Sequence, residues 1–222
     1  REITLAARKL KIPVILDAAQ ALGTLPINAN DFDIVCFPGH KGLLAPMGTG
    51  GLYISQTMEI ESLMQGGTGS RSSEEFQPEM LPDKIESGTP NIPGIAGLQA
   101  ALTFILKTGI DKIQQQKQNI LKLLLAGLSD IDEIDIHSPL ELSENAGIVS
   151  ISSKKMNISE LTWKLDKADI ATRMGLHCAP AAHKTIGTFE NGGTVRLSPG
   201  YFTTENEISE TVSIIKGIHC DR

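Results

Sequence analysis

The sequence predicts an α/β protein, with a mostly parallel, helix-covered sheet in its first half and a smaller α+β domain in its second. Three observations predict it. Short apolar runs rich in β-branched or aromatic residues recur at 12–16, 34–37 and 51–54, each flanked by Gly, Pro or Asp, as expected of strands buried on both faces of a parallel sheet. A long helical stretch over 111–128 separates them from a second strand–helix system. The 222 residues suffice for one large domain or two small ones at about 100–200 residues each. The character changes after Asp130, and two strand–helix systems separated by that long helix set expected domains of 1–108 and 109–222.

In chain order, residues 2–10 read as a helix, with Ile3, Ala6, Ala7 and Leu10 at one-face spacing. No capping residue precedes it and Arg1 is not a start methionine, so the sequence reads as beginning mid-fold, a fragment of a longer chain with no signal peptide ahead of its first element. Pro13 closes the turn into the first strand. Residues 65–81 are loop-like, with Gly66, Gly67, Gly69 and several serines. Pro90, Pro93 and Gly94 lead into a helix over 95–106, which Gly109 stops. The helix over 111–128 turns Ile113, Ile120, Leu121, Leu124 and Leu128 inward. Strands follow at 148–152, 170–173 and 194–197, with a helix over 159–167. Thr204 and Glu207 have capping-box spacing ahead of a final amphipathic helix carrying Ile208, Val212 and Ile215.

Composition excludes several function classes. Hydrophobic residues at 41% and charged residues at 21% are globular values, which removes disorder. Aromatics at 4% are too few for a single-strand stacking platform, and a net charge of −6 without a basic run argues against a nucleic-acid partner. No apolar stretch reaches the roughly 18 residues of a membrane span. Three cysteines, an odd number with no close pair, disfavour a disulfide framework and fit a reducing cytoplasm.

Three clusters carry candidate chemistry. Asp17 heads Asp17-Ala-Ala-Gln20 at the C-terminal end of a strand, where open α/β sheets place ligands; the plainer role is a turn or N-cap aspartate. Gly39-His40-Lys41 also follows a strand directly. A lysine there is either a surface side chain or an amine that desolvation frees to attack a carbonyl as a Schiff base. No Ser or Thr follows Lys41, so this is no P-loop. The third cluster is Arg173-Met-Gly-Leu-His-Cys178-Ala-Pro180. An ordinary exposed thiol is only a few per cent thiolate at pH 7, and Arg173, His177, His183 and Lys184 are near enough in sequence to favour the charged form. His177, Cys178 and His183 are also a weak candidate metal set, without a Cys-x-x-Cys pair or carboxylates, and no metal is expected. Cys36, inside a strand, reads as a small buried hydrophobe, and Cys220 as incidental.

Taken in order, five motifs resemble the class V aminotransferase family of pyridoxal-phosphate (PLP) enzymes, and most of all its cysteine desulfurase and selenocysteine lyase group. They are Asp17-Ala-Ala-Gln20, Gly39-His-Lys41, Gly88-Thr-Pro-Asn91, the Arg173–Cys178 loop and Thr194-Val-Arg196-Leu-Ser, over about 12–201; Gly48-Thr-Gly-Gly51 adds to the likeness. The resemblance implies part of a PLP-transferase large domain at 1–108 and the small C-terminal domain at 109–222. It implies PLP held covalently by Lys41, Asp17 paired with the pyridine nitrogen, Gln20 on the ring's phenolic oxygen, His40 on the phosphate, and Thr89 on the phosphate of a neighbouring subunit in a homodimer. Arg196 would clamp the substrate carboxylate with Arg173 supporting the pocket, and Cys178 would take the substrate sulfur as a persulfide. The implied substrate is cysteine or selenocysteine, with a sulfur-acceptor protein as partner.

Two departures stand out. Pro38 occupies the place of a phosphate-binding serine and has neither hydroxyl nor N–H. The family's N-terminal half, with its ring-stacking histidine, has no counterpart here, so this chain alone is expected to hold PLP weakly or not at all. Alternatives to desulfuration are another class V transaminase or lyase reaction, or an inactive half-fold that serves as a dimerisation or binding module.

Overall fold

The computed structural model describes residues 2–71 and 73–220. The chain forms two compact units, Arg1–Ile110 and Asp111–Arg222.

The first unit holds α1 (Glu2–Lys9), β1 (Ile15–Asp17), a 3₁₀ turn at Ala29–Asp31, β2 (Ile34–Pro38), β3 (Gly50–Ile54) and α2 (Ile92–Thr108). Its sheet has the order β1-β2-β3. β1 and β2 are parallel, with Asp17 beside Cys36. β3 runs antiparallel to β2, with Leu52 beside Cys36, where the sequence reading takes it as a parallel member; such antiparallel edge strands are common on parallel sheets. The strands are also less covered than expected: Ile15 is 64% exposed and Leu52 46%, and Cys36 is half-buried.

β1 starts three residues later than the apolar run suggests, because the preceding donors are engaged elsewhere. The Ile12 N–H goes to the Ala7 carbonyl, Pro13 has no N–H, and the Val14 N–H goes to Asp33 Oδ2 at 2.7 Å. α2 starts three residues earlier than read, because Asn91 caps it by accepting the Gly94 N–H at 3.1 Å.

The second unit contains most of α3 (Ile110–Ser129), then β4 (Ile134–Ile136), β5 (Val149–Ser153), α4 (Ile158–Lys167), β6 (Arg173–Gly175), α5 (Pro180–Thr185), β7 (Thr194–Leu197) and α6 (Glu205–Cys220). Its antiparallel sheet has the order β4-β5-β7-β6. Ile120, Leu121, Leu124, Leu125 and Leu128 of α3 form one buried stripe. They join Val149 and Ile151 of β5, Leu161 and Leu165 of α4, and Val195 of β7 in a continuous core. Each such side chain contributes about 1.5–3 kcal/mol by leaving water.

The strand expected at 170–173 forms instead at Arg173–Gly175. The chain is still closing α4 at the earlier positions: the Ile170 N–H bonds the Leu165 carbonyl, and Asp169 has a left-handed φ of 59°. The capping box of α6 forms as read, with Glu207 Oε2 accepting the Thr204 N–H at 2.7 Å and Thr204 Oγ1 accepting the Glu207 N–H at 3.2 Å. Among the described residues no helix is long and apolar enough to cross a membrane.

Candidate active site

In the first unit the expected residues gather at one edge of the sheet. β1 and β2 are parallel, so the segments leaving their C-terminal ends emerge on the same side. Asp17 is the last residue of β1 and is locked to β2 by the Ala18 N–H bond to the Cys36 carbonyl, 2.8 Å. Gly39, His40 and Lys41 leave the end of β2.

The two segments then touch through their backbones. A Cβ on Gly23 would overlap the Gly42 carbonyl, and a Cβ on Gly42 would overlap the Leu22 carbonyl. Gly23 also has φ +83°, so glycine is required there by both space and conformation. The stretch bearing Asp17 and Gln20 is thereby seated against the stretch bearing His40 and Lys41.

The lysine loop is closed by its own hydrogen bonds. The Gly39 N–H reaches the Thr49 carbonyl at 2.8 Å, the Ala45 N–H the Gly39 carbonyl at 2.9 Å, and the Leu44 N–H the Lys41 carbonyl at 3.0 Å. Thr49 Oγ1 donates to the Pro46 carbonyl at 2.6 Å. Asn91 Nδ2 reaches the Gly48 carbonyl at 3.4 Å, joining the α2 N-terminus, and Thr89 just before it, to the same loop. Thr49 and Asn91 thus support the loop, a role the sequence analysis did not give them although both lie in its motifs. For Asn91 the signal was present as an N-cap residue ahead of Pro93.

Asp17 Oδ1 accepts the Ala19 N–H at 2.9 Å, as a turn aspartate does, which leaves Oδ2 for another donor. Gln20, His40, Lys41 and Thr89 are exposed. Of the two alternatives for Lys41, the exposed one is observed: its loop lies open to solvent beyond the strand end, and none of the salt bridges among the described residues uses its amine. A carboxylate, an amide, an imidazole and a free amine at one sheet edge are a donor set that fits a pyridine aldehyde phosphate: acid for ring nitrogen, amine for aldehyde. Pro38 adds nothing to it.

In the second unit, Arg173 and Arg196 face each other across the β6–β7 ladder. Like charges directly opposite are unfavourable unless an anion lies between them. Arg196 Nε is buried with no hydrogen-bond partner. A guanidinium pair of this kind is able to hold a carboxylate, whose planar geometry it matches. Arg173 Nη2 also lies 3.9 Å from Cys178 Sγ, and Cys178 is exposed.

Cys178 stands on a turn in which His177 and Cys178 have left-handed φ of 51° and 62°, a conformation costing on the order of 1–3 kcal/mol for each non-glycine residue. α5 follows at once, a helix that the sequence analysis does not predict; Pro180 starts it at N1. His177 is not aimed at a metal: its Nε2 lies 3.1 Å from the Thr194 carbonyl oxygen and 3.1 Å from Thr194 Oγ1. His183 is buried with Nδ1 2.7 Å from Thr188 Oγ1. Burial first, then Arg196 and His183, hold the His177 imidazole below its ordinary pKa. A cleft of about 730 Å³ in this unit has neither Cys178 nor Arg196 in its lining; Ile170, Leu197, Phe202 and Ile208 are among its walls.

Comparison with known proteins places these features in context. Residues 1–210 match the family model of aminotransferase class V. A probable cysteine desulfurase of Methanothermobacter thermautotrophicus is 36% identical, over 98% of this chain and 56% of its own length. A cysteine desulfurase of Salmonella newport is 30% identical, over 96% of this chain and 52% of its own. The apo structure of a cysteine desulfurase from Thermococcus onnurineus superposes with a TM-score of 0.84 at 27% identity, covering 98% of this chain and 55% of that one. The chain spans about half the length of the curated relatives it matches.

Proposed function

Because this chain belongs to the class V aminotransferase family, we propose that it carries the chemistry of a PLP-dependent cysteine desulfurase, converting L-cysteine to L-alanine with the sulfur left on Cys178. The supporting observation is the backbone contact of Gly23 with Gly42, which seats the Asp17–Gln20 stretch against the His40–Lys41 stretch at one sheet edge.

In this reading Lys41 would hold PLP covalently, Asp17 would face its pyridine nitrogen, Gln20 its phenolic oxygen and His40 its phosphate, and Thr89 would serve the phosphate of a second subunit. PLP, when bound, supplies an electron sink for the bonds at the substrate α-carbon. Lys41 moves the proton at that carbon. Arg196, with Arg173, binds the carboxylate and orients the substrate. The Cys178 thiolate attacks the substrate sulfur: an S–S bond forms and the C–S bond breaks. Its electron pair stays with the three-carbon amino acid, which takes up a proton to become alanine. The exposed position of Cys178 lets a sulfur-acceptor protein reach the persulfide. Selenocysteine fits the same groups.

The test is to supply the protein with L-cysteine and with PLP in large excess, to offset the weak hold expected of this chain alone, and to measure alanine and reductant-released sulfide. Both are expected to form, and Cys178→Ala is expected to abolish sulfur release without weakening PLP attachment. Sulfur release that survives Cys178→Ala contradicts the persulfide role. A second reading, a binding module without turnover, draws on the apolar residues that α1 and β1 leave exposed, Ile3 at 79% and Ile15 at 64%. It expects no alanine from any variant.

A further inference from the structure

Cys178 occupies a turn its own backbone does not favour. His177 and Cys178 are successive non-glycine residues in the left-handed region, and such a pair persists only where its surroundings hold it. Within the turn the backbone supplies the Ala179 N–H bond to the Leu176 carbonyl, 2.8 Å. Besides the long Arg173–Cys178 contact, the turn is held by the His177 side chain, whose Nε2 meets both oxygens of Thr194 at 3.1 Å.

A carbonyl oxygen only accepts, so Nε2 carries the proton and Nδ1 the lone pair. Nδ1 is buried without a partner. Protonating it would place a cation beside Arg196, His183 and Arg173, the charged and titratable groups that act on this ring. The ring is thereby kept neutral, in one tautomer. His183 packs against it with ring centroids 5.6 Å apart.

Thr194 lies on β7, two residues before Arg196. Across the ladder Thr194 pairs with Gly175 and Arg196 with Arg173. One imidazole hydrogen bond therefore ties the cysteine turn to the strand that carries the carboxylate-binding guanidinium. We propose that His177 is a positioning residue for sulfur transfer: as the neutral Nε2–H tautomer it pins the Cys178 turn to β7 and fixes the thiol's distance from the Arg173–Arg196 pair. The inference rests on the reading of Cys178 as sulfur carrier.

The test compares the unsubstituted protein with His177→Ala and His177→Gln. Loss of the pin is expected to lower kcat for alanine release about tenfold or more while KM for L-cysteine stays within about twofold. Gln, whose amide N–H can reach the same carbonyl, is expected to recover part of that loss. Two readouts need no turnover. Nitrogen-15 NMR of the unsubstituted protein is expected to show His177 protonated on Nε2, and the rate at which iodoacetamide alkylates Cys178 is expected to change about threefold in His177→Ala as the turn is released. A proton on Nδ1 overturns the proposal. So does unchanged kcat with unchanged alkylation, and so does a raised KM at constant kcat, which would put His177 on the substrate. If the unsubstituted protein releases no alanine, the desulfurase reading fails, while tautomer and alkylation still decide the pin. If His177→Ala does not fold, the tautomer decides.

Discussion

The two units hold their candidate chemistry in opposite ways. In the second, the cysteine turn and the arginine pair stand on a sheet whose central strands bury one face completely: Val149, Ile151 and Val195 are each 0% exposed. In the first, the buried apolar residues among those described are few, chiefly Val35, Leu43 and Ile105, while Ile3, Ile15, Leu52 and Phe76 face water. The Asp17 and Lys41 stretches are held there by glycine contacts, a helix cap and turn hydrogen bonds rather than by a core. Local geometry can be exact without deep burial, but it then depends on a few irreplaceable backbone contacts.

Core truncation sharpens this contrast most. Leu128→Ala, at a fully buried position, is expected to cost about 2–5 kcal/mol, whereas Ile15→Ala is expected to cost no more than about 0.5 kcal/mol. Denaturant unfolding followed by hydrogen exchange in each unit measures both; equal losses would break the contrast. Next in size is Gly23→Ala, where the new methyl meets the Gly42 carbonyl at positive φ. A loss of about 1–3 kcal/mol is expected, confined to exchange protection in the first unit.

Thr204→Ala removes one side of the α6 capping box and is expected to cost about 1 kcal/mol, read in the second unit alone. The smallest effect is one of pH. His137 and His177, both in the second unit, have imidazole pKa values lowered, in each case chiefly by burial. The fold therefore favours the neutral rings. Their contribution is present above the ordinary imidazole pKa and is lost as pH falls through the lowered, folded values. Mild acidification is expected to weaken the second unit before the first, and exchange measured at stepped pH checks the order.

How much was legible in the sequence follows the same division between local and distant causes. The α6 capping box and β7 were readable because their signals lie within a few residues, Thr204 to Glu207 and the run at 194–197. The places of Asp17 and Lys41 at the C-terminal ends of β1 and β2 were readable because one closes an apolar run and the other trails one by a few residues. β4 was missed because it has only three residues, one of them Asp135. β1 and β6 were displaced because Asp33 and Leu165, outside the strands, capture their first donors. The Gly23–Gly42 contact and the tie from His177 to Thr194 join residues 19 and 17 positions apart. No periodicity announces such pairs, and His177 therefore read only as a cationic neighbour or weak metal ligand.

The central claim is that Asp17 and Lys41 together form the seat of a pyridine aldehyde phosphate. Saturating the protein with PLP, reducing with borohydride and mapping the pyridoxylated peptides tests it most directly, because reduction accumulates the adduct even from a weakly held group. Modification concentrated on Lys41, and diminished by Asp17→Ala, is the predicted result. Label spread evenly over the surface lysines, or concentrated on a different one, would contradict the account.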